Sequence, residues 1–229
     1  MDAICDPDQL GPPKWAGGYH GRLMWRDVFD RNIYGTNCWL LAADGSDDAV
    51  VVDPGFEPER VKALLSASGK RPVAVLLTHA HVDHADQAGA FAGDALPVYV
   101  HEDDAVAFRD PELWNPGFAN ALSEVKDLRT VADGDVLAFA GFSIEVDHTP
   151  GHTPGHCCFR TDAFLLSGDL VFAGAIGRSD FPNSSPVDME RSLRRFLELP
   201  DELPVWPGHG QETSVGRERA TNPFLRGLA

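Results

Sequence analysis

Seven side chains of metal-ligating type are distributed along this sequence in a pattern that suits hydrolytic chemistry. The densest run is "LLTHAHVDHADQ", where His79, His81, Asp83 and His84 follow directly on the apolar stretch "PVAVLLT". Side chains alternate along an extended segment, so residues 79, 81 and 83 are expected on one side. His84, where a helix is expected to begin, is free to point elsewhere. Four ligand-type groups leaving one turn in two directions suit two neighbouring cations, with His79 and His81 on the first and Asp83 and His84 on the second. A four-coordinate ion with three protein ligands keeps one position for water, so each set is short of partners. His152 just past "FSIEVD", Asp169 closing "AFLLSGD" and His209 after "LPVWPG" are the candidates, each at the end of an apolar run. The two oxygens of Asp169 allow it to bridge, while His152 completes the first set and His209 the second. Gly168 and Gly208 beside them remove bulk and relax the backbone. A single histidine at a strand end is ordinarily a hydrogen-bonded structural residue. Four polar groups closing a core strand are not explained by packing.

The elements that must position these groups are short and mixed. Strands are expected at 37–43, 49–53, 72–78, 96–100, 142–147, 163–169 and 203–208, with a further one in "HCCFR". Helical spacing marks 57–68, which ends at Gly69, together with 83–93, 102–108 and 187–199. Strands occur singly and as neighbours, which implies a layered α+β arrangement rather than a strict βαβ repeat. Residues 109–130 lack clear periodicity and read as a loop or short-helix insertion near the site. Without a linker or low-complexity tract, residues 1–229 are expected to form a single domain.

Composition narrows the class of function. At 43% hydrophobic and 24% charged, the chain matches an ordinary globular protein with a core that needs no disulfide framework. Four cysteines, no N-terminal signal pattern in "MDAICDPDQL" and no 18-residue apolar run imply reduced thiols and a cytoplasmic location. A net charge of −16 argues against nucleic acid and anionic membranes as partners. A small molecule is the expected partner.

The motifs "THAHVDH", "TPGH" (149–152), "SGD" (167–169) and "PGHG" (207–210) resemble, in order and spacing, the metallo-β-lactamase superfamily, and within it the glyoxalase II-like hydrolases. The resemblance runs over about residues 35 to 225. It implies an αβ/βα four-layer sandwich of two mixed β-sheets flanked by helices, with metals at one edge. It also implies that His79, His81 and His152 bind one metal and Asp83, His84 and His209 the other, with Asp169 shared. Asp83 and Asp169 are thereby the candidate catalytic carboxylates. Pro150 and Pro154 in "DHTPGHTPGH" exclude the helix that would stack His148, His152 and His156. His152 ends the first "TPGH"; His148 is placed behind the ligands, orienting one of them or a loop carbonyl; His156 reads as structural. His20 and His101 have no supporting neighbours.

Two divalent metals, zinc above all with iron and manganese also compatible, lower the pKa of a bridging water toward about 7 and polarise a carbonyl. A thioester is the easiest fit, because a thiolate with a solution pKa of about 8.5 departs without a proton donor. Arg178 in "GAIGRSDFP" is the candidate contact for a substrate anion, ahead of Arg217 and Arg219. Glutathione-type members of the resembled family continue into a helical domain past the last ligand, whereas 20 residues follow His209 here. The resemblance therefore implies a short, single-domain branch and leaves the thiol open. The main rival reading is a persulfide dioxygenase with one iron on His79, His152 and Asp169. Lactone or β-lactam hydrolysis and a non-catalytic metal scaffold complete the alternatives.

Overall fold

Strand alternation sorts the apolar residues into three interior zones. The computed structural model describes residues 24–30, 33–93, 95–110, 114, 122–139 and 141–228. One sheet runs in the order β1 (Met24–Phe29), β2 (Cys38–Ala43), β3 (Asp48–Val52), β4 (Arg71–Leu76), β5 (Val98–His101) and β6 (Leu128–Val131). It is antiparallel as far as β3 and parallel beyond. The second is built from β7 (Val136–Phe139), β8 (Phe142–His148), β9 (Cys157–Arg160), β10 (Leu165–Gly168), β13 (Pro204–Pro207) and β14 (Thr213–Ser214). Its order is β14-β13-β10-β9-β8-β7, and only the β10–β13 pair is parallel. The strands β11 (Val171–Phe172) and β12 (Ala175–Ile176) form a small hairpin beside the second sheet. The helices are α1 (Pro58–Ala67), α2 (Val82–Ala85), α3 (Ala88–Ala92), α4 (Val106–Arg109), α5 (Pro186–Phe196) and α6 (Val215–Thr221).

Leu40, Val51 and Val75 pack with Val61 and Leu65 of α1 and Phe91 of α3 on one outer face. Their chain neighbours Trp39, Leu41, Val50, Val52 and Leu76 point the other way, against Ile144, Val146, Phe159 and Leu166 of the second sheet. Beyond that sheet, Cys158, Leu165 and Val205 meet Met189, Leu193 and Phe196 of α5 and Val215 of α6. Helix, sheet, sheet, helix is the expected αβ/βα sandwich. Between the sheets Phe164 stacks on Trp206 at 3.9 Å, and Trp206 on Trp39 at 5.4 Å. Burying an apolar side chain of this size contributes roughly 1.5–3 kcal/mol, so the aromatic stack anchors the two sheets to each other. Strands buried on both faces read as continuous apolar runs, which is why β2 and β3 were legible. The edge strands β6 and β7 each leave two of their four residues exposed and present no such run.

Three expectations change. The helix expected over 83–93 breaks in two, because Gln87 donates its N–H to Gly55 O instead of continuing the helix ladder. That over 102–108 shrinks to Val106–Arg109, since Asp104 turns inward into a polar network. The expected insertion 109–130 ends in a strand, β6, parallel to β5; residues 111–113 and 115–121 lie outside the described ones. Helix α5 holds as expected in kind, α6 was not expected from the sequence, and both are capped. Ser185 accepts from Asp188 N with Pro186 in the first turn of α5, and Ser214 accepts from Arg217 N in α6.

Candidate functional site

The chain's ligand-type side chains gather where four strands end. His79 and His81 follow β4, His152 follows β8, Asp169 follows β10 and His209 follows β13. His81 is the extended residue just before α2, so alternation places only His79 and His81. Asp83 and His84 instead leave the first turn of that helix, which corrects the expectation that residue 83 is extended. The turn is pinned from below: Gly55 lies against the carbonyl of Asp83 so closely that no side chain fits there.

Within this cluster the ligating atoms of His79, His81 and His152 all lie within 4.8 Å of one another, as do those of Asp83, His84 and His209. Asp169 stands between the sets. Its Oδ2 is 3.4 Å from His152 Nε2 and 3.6 Å from His209 Nε2, and its Oδ1 is 3.4 Å from His84 Nε2. His79 Nε2 and Asp169 Oδ1 are buried without a hydrogen-bond partner. Orphaned buried polar atoms are costly and uncommon, and here both belong to a group of converging donors.

The rings' other nitrogens fix which atom faces the centre. His152 Nδ1 lies 2.7 Å from the carbonyl of Arg178 and must donate to it, leaving Nε2 as a lone pair. Thr78 donates its hydroxyl proton to Asp53 Oδ2 at 2.7 Å, so it accepts from His79 Nδ1 at 3.1 Å and leaves His79 Nε2 bare. His84 Nδ1 donates to Asp53 Oδ2 at 2.9 Å. A partner behind each of these three rings is the arrangement that orients metal-binding histidines. The residues present fit a pair of divalent cations.

Electrostatics divide the two sets. Burial holds His79, His81 and His152 below the ordinary histidine range, with His81 down to about 3, and neighbouring rings reinforce this at His79 and His81. Burial acts the same way on His84 and His209, but surrounding carboxylates outweigh it and push both up. Burial also opposes the charge on Asp83 and Asp169; the adjacent histidines overcome it and hold Asp169 at about 2 and Asp83 well below the usual carboxylate range.

Several residues that shape the site were not singled out in the sequence. Asp53, buried at the end of β3 with φ of 54°, also accepts from Thr78 N at 2.8 Å. It obeys the same strand-end rule that marked Asp169 and His209, which was the available signal. Asp104 accepts from Ala80 N, Gly155 N and Thr153 Oγ1 at 2.9, 2.6 and 2.8 Å, tying the His79–His81 turn to the 149–156 loop. Burial pushes its carboxyl up to about 7, against these three donated bonds. Asn37 clamps the last turn, donating its backbone N–H to Gly208 O and its side-chain amide to Pro207 O and Gly210 O. Nothing in the pattern around Asn37 announces that role.

Other expectations resolve as follows. His156 is structural, as expected, but its place is specific: Nε2 accepts from Asp169 N at 3.0 Å and the ring is fully buried. His148 binds a loop carbonyl, Pro154 O, at 2.8 Å, and stacks at 3.9 Å on His101, which does have neighbours after all. Arg178 lines the cavity over the cluster, but its guanidinium is held by Asp180 through bonds of 2.8 and 3.0 Å. Arg219 bonds Leu197 O, Leu199 O and Asp201, and neither it nor Arg217 lines the cavity. His20 lies outside the described residues. The cavity measures about 580 Å³ and is walled by Tyr34, Trp114, Phe172, Ile176 and Phe181, with His81, Asp83, His152, Asp169 and His209 on its floor.

A family model described as the Metallo-beta-lactamase superfamily matches residues 31–209. A hydroxyacylglutathione hydrolase, GloC of Haemophilus influenzae, is 34% identical over 213 residues, covering 87% of this chain and 97% of the relative. The crystal structure of BLEG-1, a B3 metallo-beta-lactamase, superposes with a TM-score of 0.80 at 31% identity, covering 89% of this chain and 100% of the other. That of TTHA1623 in a di-iron-bound form gives 0.75 at 36% identity, covering 87% and 100%. Among the described residues no helix is long and apolar enough to cross a membrane.

Proposed function

The chain belongs to the metallo-beta-lactamase superfamily, and from that premise we propose that it is a binuclear metal-dependent hydrolase that cleaves an acyl thioester. The observation that carries this reading is the convergence of two three-residue donor sets on either side of Asp169. His79, His81 and His152 would hold one divalent ion, Asp83, His84 and His209 the other, with Asp169 between them. Bound there, such a pair supplies a water of lowered pKa and a Lewis acid for a carbonyl oxygen. Zinc suits these nitrogen and oxygen donors; iron suits them too, and TTHA1623 is a relative crystallised with two irons.

The chain's own groups favour a thioester over an amide. An amine leaving group needs a proton, and the carboxyl groups on the cavity floor, Asp83 and Asp169, are held as anions. A thiolate leaves without one. Asp53, Thr78 and the carbonyl of Arg178 fix the rings behind the site, so the geometry is set before substrate enters. GloC, a hydroxyacylglutathione hydrolase, supports thioester chemistry on a chain of nearly the same extent. A one-iron dioxygenase on His79, His152 and Asp169 would leave Asp83, His84 and His209 without a role, although they converge equally well. The free, buried cysteines Cys38, Cys157 and Cys158 accord with a cytoplasmic setting.

The test is elemental analysis of purified protein together with thiol release from S-lactoylglutathione and simpler thioesters. About two metals per chain and metal-dependent thiol release are expected. One iron with sulfide-dependent oxygen uptake, or no thioester cleaved by fully loaded protein, would overturn the proposal.

A further inference from the structure

The walls of the cavity carry information that its floor does not. Three aromatic rings stand directly against candidate ligands: Phe181 lies 5.3 Å from His81, Phe172 5.7 Å from His209, and Trp114 6.4 Å from His81. Ile176 and Tyr34 continue the wall. A group attached to a carbonyl at the cluster must therefore lie on apolar surface. Charge is nearly missing from that surface. Among the described lining residues Arg178 is the one arginine or lysine, and Asp180 neutralises it through two hydrogen bonds while Phe181 covers its face at 4.4 Å. The guanidinium is also two-thirds exposed, at the rim rather than the depth of the cavity. The chain as a whole carries −16.

We infer that the substrate is a small thioester with an aromatic or branched apolar acyl group and an uncharged thiol, and that a polyanionic peptide thiol such as glutathione is a poor carrier; this rests on the hydrolase reading above. Carboxylates on the thiol would be desolvated against rings that, among the described residues, offer no unpaired arginine or lysine to meet them, which penalises them. Each methylene moved onto the wall is worth about fourfold in kcat/KM, the rate equivalent of burying that group. Replacing a methyl by a phenyl on the acyl group should therefore raise kcat/KM by tenfold or more.

The experiment uses the full, metal-loaded chain and four substrates: lactoyl and mandeloyl thioesters of glutathione and of neutral N-acetylcysteamine. Alkyl thiols keep the leaving group comparable. The mandeloyl ester of N-acetylcysteamine is expected to be the best substrate, and Trp114→Ala is expected to shrink the mandeloyl-to-lactoyl ratio. A second readout needs no turnover: calorimetric binding of S-benzyl-N-acetylcysteamine and S-benzylglutathione to metal-loaded and metal-free protein. Tighter binding of the neutral thioether supports the inference even if no thioester is cleaved, in which case only the hydrolase reading falls. A preference for glutathione in either readout, or equal turnover of lactoyl and mandeloyl esters, overturns it.

Discussion

Gly208→Ala is the smallest change that should dismantle the site without touching a candidate ligand. A Cβ at this position would sit 2.8 Å from His84 Cε1 and closer still to Asp169 Oδ1. Ordinary contact begins at 3.4 Å, so His84 must retreat by about 0.6 Å and Asp169 by more. Neither can yield easily: both are buried, His84 is tethered to Asp53, and Asp169 is tethered through its N–H to His156. Overpacking of this kind costs about 1–3 kcal/mol in stability, and displacement of reacting groups by about 1 Å costs on the order of a hundredfold in rate. The assays are metal content by elemental analysis, thermal unfolding and kcat on one thioester. Gly45→Ala provides the control, because that residue has φ of 73° in a distant turn with nothing within 4 Å of a Cβ. It should lose about 1 kcal/mol of stability and keep its metals and turnover. A Gly208→Ala protein with two metals and undiminished kcat would refute the proposition that these donors act as one tightly spaced cluster.

Other consequences follow from the same geometry. Because burial holds His79, His81 and His152 below the ordinary histidine range, ion binding at that set should depend little on pH around neutrality. His84 and His209 are pushed up, so an ion entering there must displace protons, and its affinity should fall as pH drops below about 7, by about tenfold per unit for each proton displaced; calorimetry in buffers of different ionisation enthalpy reads the proton count, and equal pH slopes at both sets would contradict the assignment. His156→Ala leaves the N–H of Asp169 without its acceptor and should reduce metal affinity or activity by about 10- to 100-fold, which unchanged dialysis constants and kcat would disprove. Asp104→Ala strands three donors and should cost about 3 kcal/mol or more, a fall of roughly 6–12 °C in Tm for a chain of this size; a shift under 2 °C would show that the network is not structural.

The layers were legible because burial on both faces leaves a continuous apolar run. β2, β3, β4 and β10 announce themselves that way, and the ligand-type residues at strand ends follow from them. Edge strands such as β6 and β7 do not, since half their residues face solvent. The break after α2 was illegible for a different reason: Gly55 O, in the loop that follows β3, captures the N–H of Gln87. Tertiary hydrogen bonds also hide Asp104 and Asn37, whose partners come from segments tens to more than a hundred residues away. Arg178 was marked by its charge, yet charge alone could not reveal that Asp180, two residues on, would claim the guanidinium while its carbonyl turned to His152.

The most direct test of the paired-cation site is anomalous diffraction from crystals grown with zinc. Two peaks are expected, one bonded to His79 Nε2, His81 and His152 Nε2, the other to Asp83, His84 and His209, with Asp169 reaching both at roughly 2.0–2.2 Å. A single peak, or zinc bound only at the stacked His101–His148 pair with the central cluster empty, would contradict the account.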